Sequence, residues 1–204
     1  MSKRKPVSWV IIVVMGIGLL LKFPHWNAID LINGPARYLV PEQSEYYKKV
    51  LFNILTREID RLPHIITTEI MEKEGVASIL HGTMSEETSS MLDTFVSDSS
   101  DGKAAQIIIA LYTTEGDPIY INVLFDRVQY LAVIDQSHDS FKGEGEDNEN
   151  LRYDYLKIIT APETGSEFVI LTNDSKLTFE QLRIAQIGSD MESIDSFQLF
   201  SYSK

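Results

Sequence analysis

The chain has no cysteine, which excludes disulfides, a thiolate nucleophile, a cysteine-ligated zinc and a lipid-modified N-terminal cysteine. Histidine is scarce, and His25, His64, His81 and His138 are dispersed, without the H-E-x-x-H or H-x-H spacing that gathers a metal on one face. A G-x-S-x-G elbow, a Walker loop and a dinucleotide fingerprint are also missing. Bases are thin outside the N-terminus: beyond Trp26, 14 bases face 30 acids, a net charge of −16. Nucleic-acid phosphates and anionic headgroups repel such a body, which argues against a nucleic-acid partner and against peripheral membrane binding.

What is present begins with the leader, "MSKRKPVSWVIIVVMGIGLLLKFPHW". Lys3, Arg4 and Lys5 precede thirteen uninterrupted apolar or glycine residues, Trp9 to Leu21. That run alone matches a secretory h-region. Lys22 can snorkel, however, and Val7 to Trp26 then gives a helix of about twenty residues, near the hydrocarbon thickness, with Trp9 and Trp26 at the interfaces. A small-x-small cleavage site is lacking, because bulky Trp26 stands two positions before Ala28. The expectation is an uncleaved signal anchor at residues 1–26, with secretion after cleavage as the alternative. The basic tail should stay in the cytoplasm and the rest of the chain outside. The remaining length and its 44% apolar content suffice for one ordinary core.

Residues 27–75 read as a linker followed by an amphipathic helical region. "NAIDLINGPARYLV" has a Gly34-Pro35 pair and no sustained period. From Pro41, Tyr46, Tyr47, Val50, Leu51, Ile54, Leu55 and Ile59 recur in threes and fours, and Pro63 should end that helix. Ile65 to Met71 is read as extended. From residue 76 to 204 an α+β domain is expected. Its first pieces are a short strand, Val76 to His81, and a helix in "TMSEETSSMLDTFVSD", where Thr83 and Glu86 have capping-box spacing and "SDSSDGK" breaks the run.

Five segments, "AAQIIIALYT", "PIYINVLFD", "VQYLAVID", "RYDYLKIIT" and "EFVILT", are rich in β-branched and aromatic residues and separated by turn residues. Ile107 to Leu111 is continuously apolar, as in a strand covered on both faces. The economical arrangement is a mostly antiparallel sheet of about four to six strands with a helix packed on one face. A short helix at 177–187 and a closing strand, "SFQLFSYS", complete the expectation.

"YTTEGDPIY", residues 112–120, concentrates the local chemistry. Gly116 can take positive φ and Pro118 suits the first position of a strand, so Thr114 to Pro118 is expected to be a hairpin bend. Tyr112, Glu115, Gly116 and Asp117 are the candidate binding residues. Glu115 and Asp117 could divide acid and base work only if a pocket pushed their pKa values apart, and an exposed turn does not. Farther on, Asp135, Ser137, Asp139 and Glu146 occupy positions 1, 3, 5 and 12 of a calcium loop. Ser140 replaces the glycine of position 6 and Lys142 the apolar residue of position 8. An EF-hand is thereby ruled against. A looser calcium site, with Asp135, Asp139 and Glu146 as ligands, is the cation-dependent alternative, and a solvated acidic excursion is the plainer reading.

The segments "YTTEGDPI", Tyr112 to Ile119, and "DQSHDSFKG", Asp135 to Gly143, resemble a family of small exported or lipoprotein-like domains of Bacillus-like bacteria. Its shared core runs Y-T-x-E-G-D-P-I, strand, turn, strand, then D-x-x-x-D-x-F-G. The resemblance covers roughly residues 76–175 and implies an extracytoplasmic α+β domain, with no activity attached. The chain departs from the pattern at Asp126-Arg127, where the family often has glycine, and lacks the anchoring cysteine of lipoprotein members, which leaves anchoring to the leader. The functional expectation is therefore a membrane-anchored, non-enzymatic binding domain of a Gram-positive cell envelope. Its partner would be an envelope protein or a cell-wall ligand, met through the sheet edge or the hairpin loops. No catalytic residue and no cofactor other than calcium is assigned, and a hydrolase using Glu115, Asp117 or His138 ranks last.

Overall fold

A computed structural model describes residues 27–34, 45–62, 67–139, 148–187 and 194–203. The expected anchor at 1–26 lies outside them. Among the described residues no helix is long and apolar enough to cross a membrane.

The elements run in the order α1 (Ala28–Asn33), α2 (Glu45–Ile59), α3 (Thr68–Lys73), β1 (Val76–Leu80), β2 (Thr83–Met84), α4 (Glu86–Ser100), β3 (Ala105–Tyr112), β4 (Pro118–Phe125) and β5 (Tyr130–Asp135). There follow β6 (Asn148–Tyr153), β7 (Tyr155–Thr160), β8 (Glu167–Thr172), α5 (Phe179–Ile187) and β9 (Ser196–Tyr202). The class is α+β, but the strands form two sheets rather than one. A six-stranded sheet has the order β2-β1-β3-β4-β5-β6, and a three-stranded sheet the order β7-β8-β9. The larger sheet is mixed: β1 runs parallel to β3, with α4 in the crossover between them, and its other pairs are antiparallel.

Both faces of the large sheet are covered. One face, carrying Ile79, Ile109, Ile121, Val123 and Ala132, packs on Leu92 and Phe95 of α4 and on Val169, Leu171, Leu199 and Phe200 of the small sheet. The opposite face, with Val76, Ala110, Leu124, Leu131 and Val133, packs on α1, α2 and Met71 of α3. The far side of the small sheet is closed by Ile170 against Leu177 and Leu182. An isolated helix of about fifteen residues is marginal in water. Burying Leu51, Ile54, Leu55 and Ile59, at about 2 kcal/mol each, is what fixes α2.

Several expected elements differ. The region read as a linker forms α1, a short helix closed by a capping box: Asn27 Oδ1 accepts from Asp30 N at 2.7 Å, and the Asp30 carboxylate accepts from Asn27 N. The segment read as extended at 65–71 is helical from Thr68, and only Met71 of that helix is buried. Helix α4 is capped by Ser85, whose hydroxyl accepts from Thr88 N at 3.0 Å. Thr83, the expected cap, lies in β2 and donates its hydroxyl to Leu80 O. The helix also runs through "SDSS" to Ser100, because Lys103 Nζ reaches back to Asp98 and Asp101 and its N–H to Asp98 O. "RYDYLKIIT" divides at Asp154: β6 pairs with β5 in the large sheet, while β7 pairs with β8 in the small one.

The β4–β5 turn carries a strained residue. Asp126 Oδ1 accepts from Val128 N and Gln129 N, both at 2.9 Å, and this tight loop places Arg127 at φ +78°. A left-handed conformation costs a residue with a Cβ about 1–2 kcal/mol. Arg127→Gly is therefore expected to stabilise the fold by up to about 1 kcal/mol, read as a higher urea midpoint at unchanged m-value, once the exposed Arg127–Asn33 hydrogen bond and the chain entropy of glycine are offset. A loss of stability would contradict the strain.

Candidate functional site

Of the residues singled out in the sequence, those described lie toward one end of the large sheet, at the β3–β4 hairpin and the end of β5. Tyr112 pairs with Pro118 across that hairpin. The connecting residues are locked by Thr113, whose N–H donates to Asp117 O at 2.9 Å while its carbonyl accepts from Gly116 N at 3.0 Å and its hydroxyl from Asp117 N at 3.2 Å. Gly116 has φ +92°, and a Cβ added there would meet nothing within 4 Å. It is the torsion, not the space, that calls for glycine. Glu115 and Gly116 sit exposed at the tip and Asp117 is half-buried.

Asp135 is the last residue of β5 and lies opposite Tyr120 of β4. It is only 4% exposed. Its Oδ1 accepts from Ser137 N at 2.8 Å, and its Oδ2 lies 3.9 Å from His138 Nδ1, which is 3.1 Å from the Ser137 hydroxyl. Asp139 continues the same turn, donating its N–H to Gln136 O. Glu146, the third expected calcium ligand, lies outside the described residues. Among those described, no group of three His, Asp or Glu side chains is placed to hold a metal ion.

Between the two motifs stands a residue that sequence reasoning passed over. Tyr120 is 1% exposed, and its ring meets His138 edge-on, with centroids 5.5 Å apart. Alternation along the strands puts Ser78, Tyr112, Tyr120 and Asp135 on one face of the sheet, the face covered by α1, α2 and α3. The hydroxyls of Ser78, Tyr112 and Tyr120 are all buried without a hydrogen-bond partner among the described residues. Ser78 stands close enough to Tyr112 to influence its phenol but not in hydrogen-bonding geometry. Burial pushes the Tyr112 phenol up, and it pushes Tyr120 much farther, with Tyr112 and Asp135 adding to the rise. Both phenols are therefore neutral donors and acceptors beside a buried carboxylate. They suit holding a polar group and are poor nucleophiles. The signal that could have revealed Tyr120 was the hairpin register: once Tyr112 faces Pro118, Ala110 faces Tyr120, and 110, 112 and 120 share a face.

A DUF4362 domain of unknown function is found at residues 73–167. It starts at the end of α3 and stops at the first residue of β8, so it contains the whole large sheet, α4, both motifs and the Tyr112–Tyr120–Asp135 cluster. Helices α1, α2 and α5 and strand β9 fall outside the DUF4362 segment. No curated protein and no solved structure matches the chain.

The tyrosines give this architecture a pH signature. Burial raises the phenols of Tyr112, Tyr120, Tyr130, Tyr153 and Tyr202, and Tyr202 is held further by donating to Glu167. A phenol whose folded pKa exceeds the unfolded value, about 10, stabilises the fold fully below that pH and loses its contribution as pH rises toward the folded value. Phenolate absorbance is expected to rise together with unfolding above about pH 10, and Tyr120→Phe to soften the loss of stability with pH. Five phenols that ionise at the free value in a folded chain would contradict the burial.

Proposed function

We propose that the chain is a membrane-anchored binding domain of the cell envelope, held by residues 1–26, with its acidic body outside the cytoplasm. Its ligand is an envelope protein or cell-wall component that offers a polar group to the hairpin end of the large sheet. The observation that supports this reading is the gathering of three buried hydroxyls, Ser78, Tyr112 and Tyr120, that find no hydrogen-bond partner among the described residues, on the same face as the buried carboxylate of Asp135. A buried polar group left unsatisfied costs about 1–3 kcal/mol, and a ligand that completes it returns that energy on binding. The anchoring half rests on the leader's bases, apolar run and flanking tryptophans.

Deleting residues 1–26 is expected to move the protein from the membrane fraction to the soluble one, and protease added to sealed protoplasts to digest the body of the full-length chain. A truncated chain that still pellets, or a body shielded from protease, contradicts the topology. For the binding half, a photo-crosslinker at the exposed Glu115 position is expected to give an adduct in intact cells that is lost when Tyr112 and Tyr120 are both phenylalanine. An adduct indifferent to that change contradicts the site.

A further inference from the structure

A second surface lies elsewhere on the same sheet, independent of the hairpin end. Strand β1 pairs with β3 only from Val76↔Ile108 to Leu80↔Tyr112. At Gly75, with φ +77°, the chain leaves that lane. Opposite Ala105, Gln106 and Ile107 no strand among the described residues takes the place of β1. In that place is a groove of about 1240 Å³, floored by Ala104–Ile108 and walled by α4 on one side and by the start of α1 and the end of α2 on the other.

The side chains of the floor are already committed. Ala105 and Ile107 are buried on the α4 face, and Gln106 donates to Glu58 and Asn122 on the other. What the strand offers outward is its backbone. Exposed edges are normally blunted by proline, charge or a bulge, and "AAQII" carries neither proline nor charge. Main-chain pairing in such a lane gives affinity, while pockets for alternate side chains give specificity.

The walls define what those side chains should be. Helix α4 carries Glu86, Glu87, Asp93 and Asp98 and no base, and among the described residues Arg61 is the one base lining the groove. Glu86 and Glu87 are exposed at the mouth, while Ile29, Met91 and Phe95 supply apolar contact within. A second copy of this chain brings a body of −16 to an acidic rim and is disfavoured by its charge. We propose that the groove takes an extended segment of a partner protein, with alternating apolar and basic side chains, as an added strand continuing the lane of β1 beside Ala105–Ile107.

The test uses the full-length chain in detergent micelles and a capped peptide of alternating valine and lysine. Saturable binding is expected, with slowed amide exchange at residues 105–107 that weakens as salt rises. A valine–glutamate peptide, or the valine–lysine peptide with alternate backbone nitrogens methylated, should bind at least about tenfold more weakly. So should Ser90→Trp, which fills the slot from an exposed position, and Glu87→Lys, which reverses the rim without filling it. Binding that leaves 105–107 unprotected, or that ignores both variants, overturns the proposal. Protection already present in the free chain and lost on deleting residues 1–26 would make the leader the occupant and likewise overturn it. So would protection that appears with concentration-dependent dimerisation. None of these outcomes turns on the Tyr112–Tyr120 site.

Discussion

A six-stranded sheet with both faces buried is the constraint on which the rest of the structure depends. Strand β4 is buried without interruption from Tyr120 to Phe125, yet Asn122 lies in its middle at 0% exposure. A polar amide there is tolerable only if it is bonded. Glu58 of α2 meets the need: Asn122 Nδ2 donates to Glu58 Oε2 at 3.0 Å and to Leu55 O at 3.1 Å, and Gln106 donates to both Glu58 and Asn122 Oδ1. The other oxygen of Glu58 accepts the first N–H of α1, from Ala28, at 3.1 Å. One carboxylate thus fastens two helices to two strands, and apolar burial around it supplies the bulk of the adhesion. Because this clasp and the β8–β9 partners of the opposite face lie beyond residues 73–167, the DUF4362 segment does not close its own core.

The legible parts of the fold are those where local chemistry and the final contacts agree. Gly116 and Pro118 announce a bend whatever surrounds them, and the β-branched runs of β3, β4, β5 and β8 suit only a covered sheet. Misreadings arose where the deciding contact is distant. "RYDYLKIIT" keeps its strand character across Asp154, and the change of sheet is set by distant partners, β5 for its first half and β8 for its second, with Asn173 Oδ1 taking the Asp154 N–H at the break. Residues 65–71 look extended by their threonines and isoleucines, but from Thr68 the chain forms a helix that buries Met71 and sets Glu72 against the hydroxyls of Ser85 and Thr88. The six-residue α1 is too short for a period to declare itself. Its signature was a single pair, Asn27 and Asp30.

The candidate site was half legible for the same reason. Tyr112 and Asp135 stood out in their motifs, but their shared neighbour Tyr120 joins them only through the register of β3, β4 and β5. The two surfaces differ in kind. At the hairpin end, neutral phenols and a buried carboxylate can hold a polar group. Beside α4, a strand edge under acidic walls can hold a backbone. A strongly acidic body gives both a preference for uncharged or cationic ligands and draws cationic ones in by long-range attraction.

The Glu58–Asn122 clasp can be measured directly. A double-mutant cycle of Glu58→Ala and Asn122→Ala, read by equilibrium urea unfolding, isolates the coupling between α2 and β4. The two losses are expected not to add, with a coupling of about 1–3 kcal/mol, because either change alone already breaks the shared network. Losses that add to within about 0.5 kcal/mol would mean that the helical layer is held by apolar contact alone, and the Glu58 network would lose its central place.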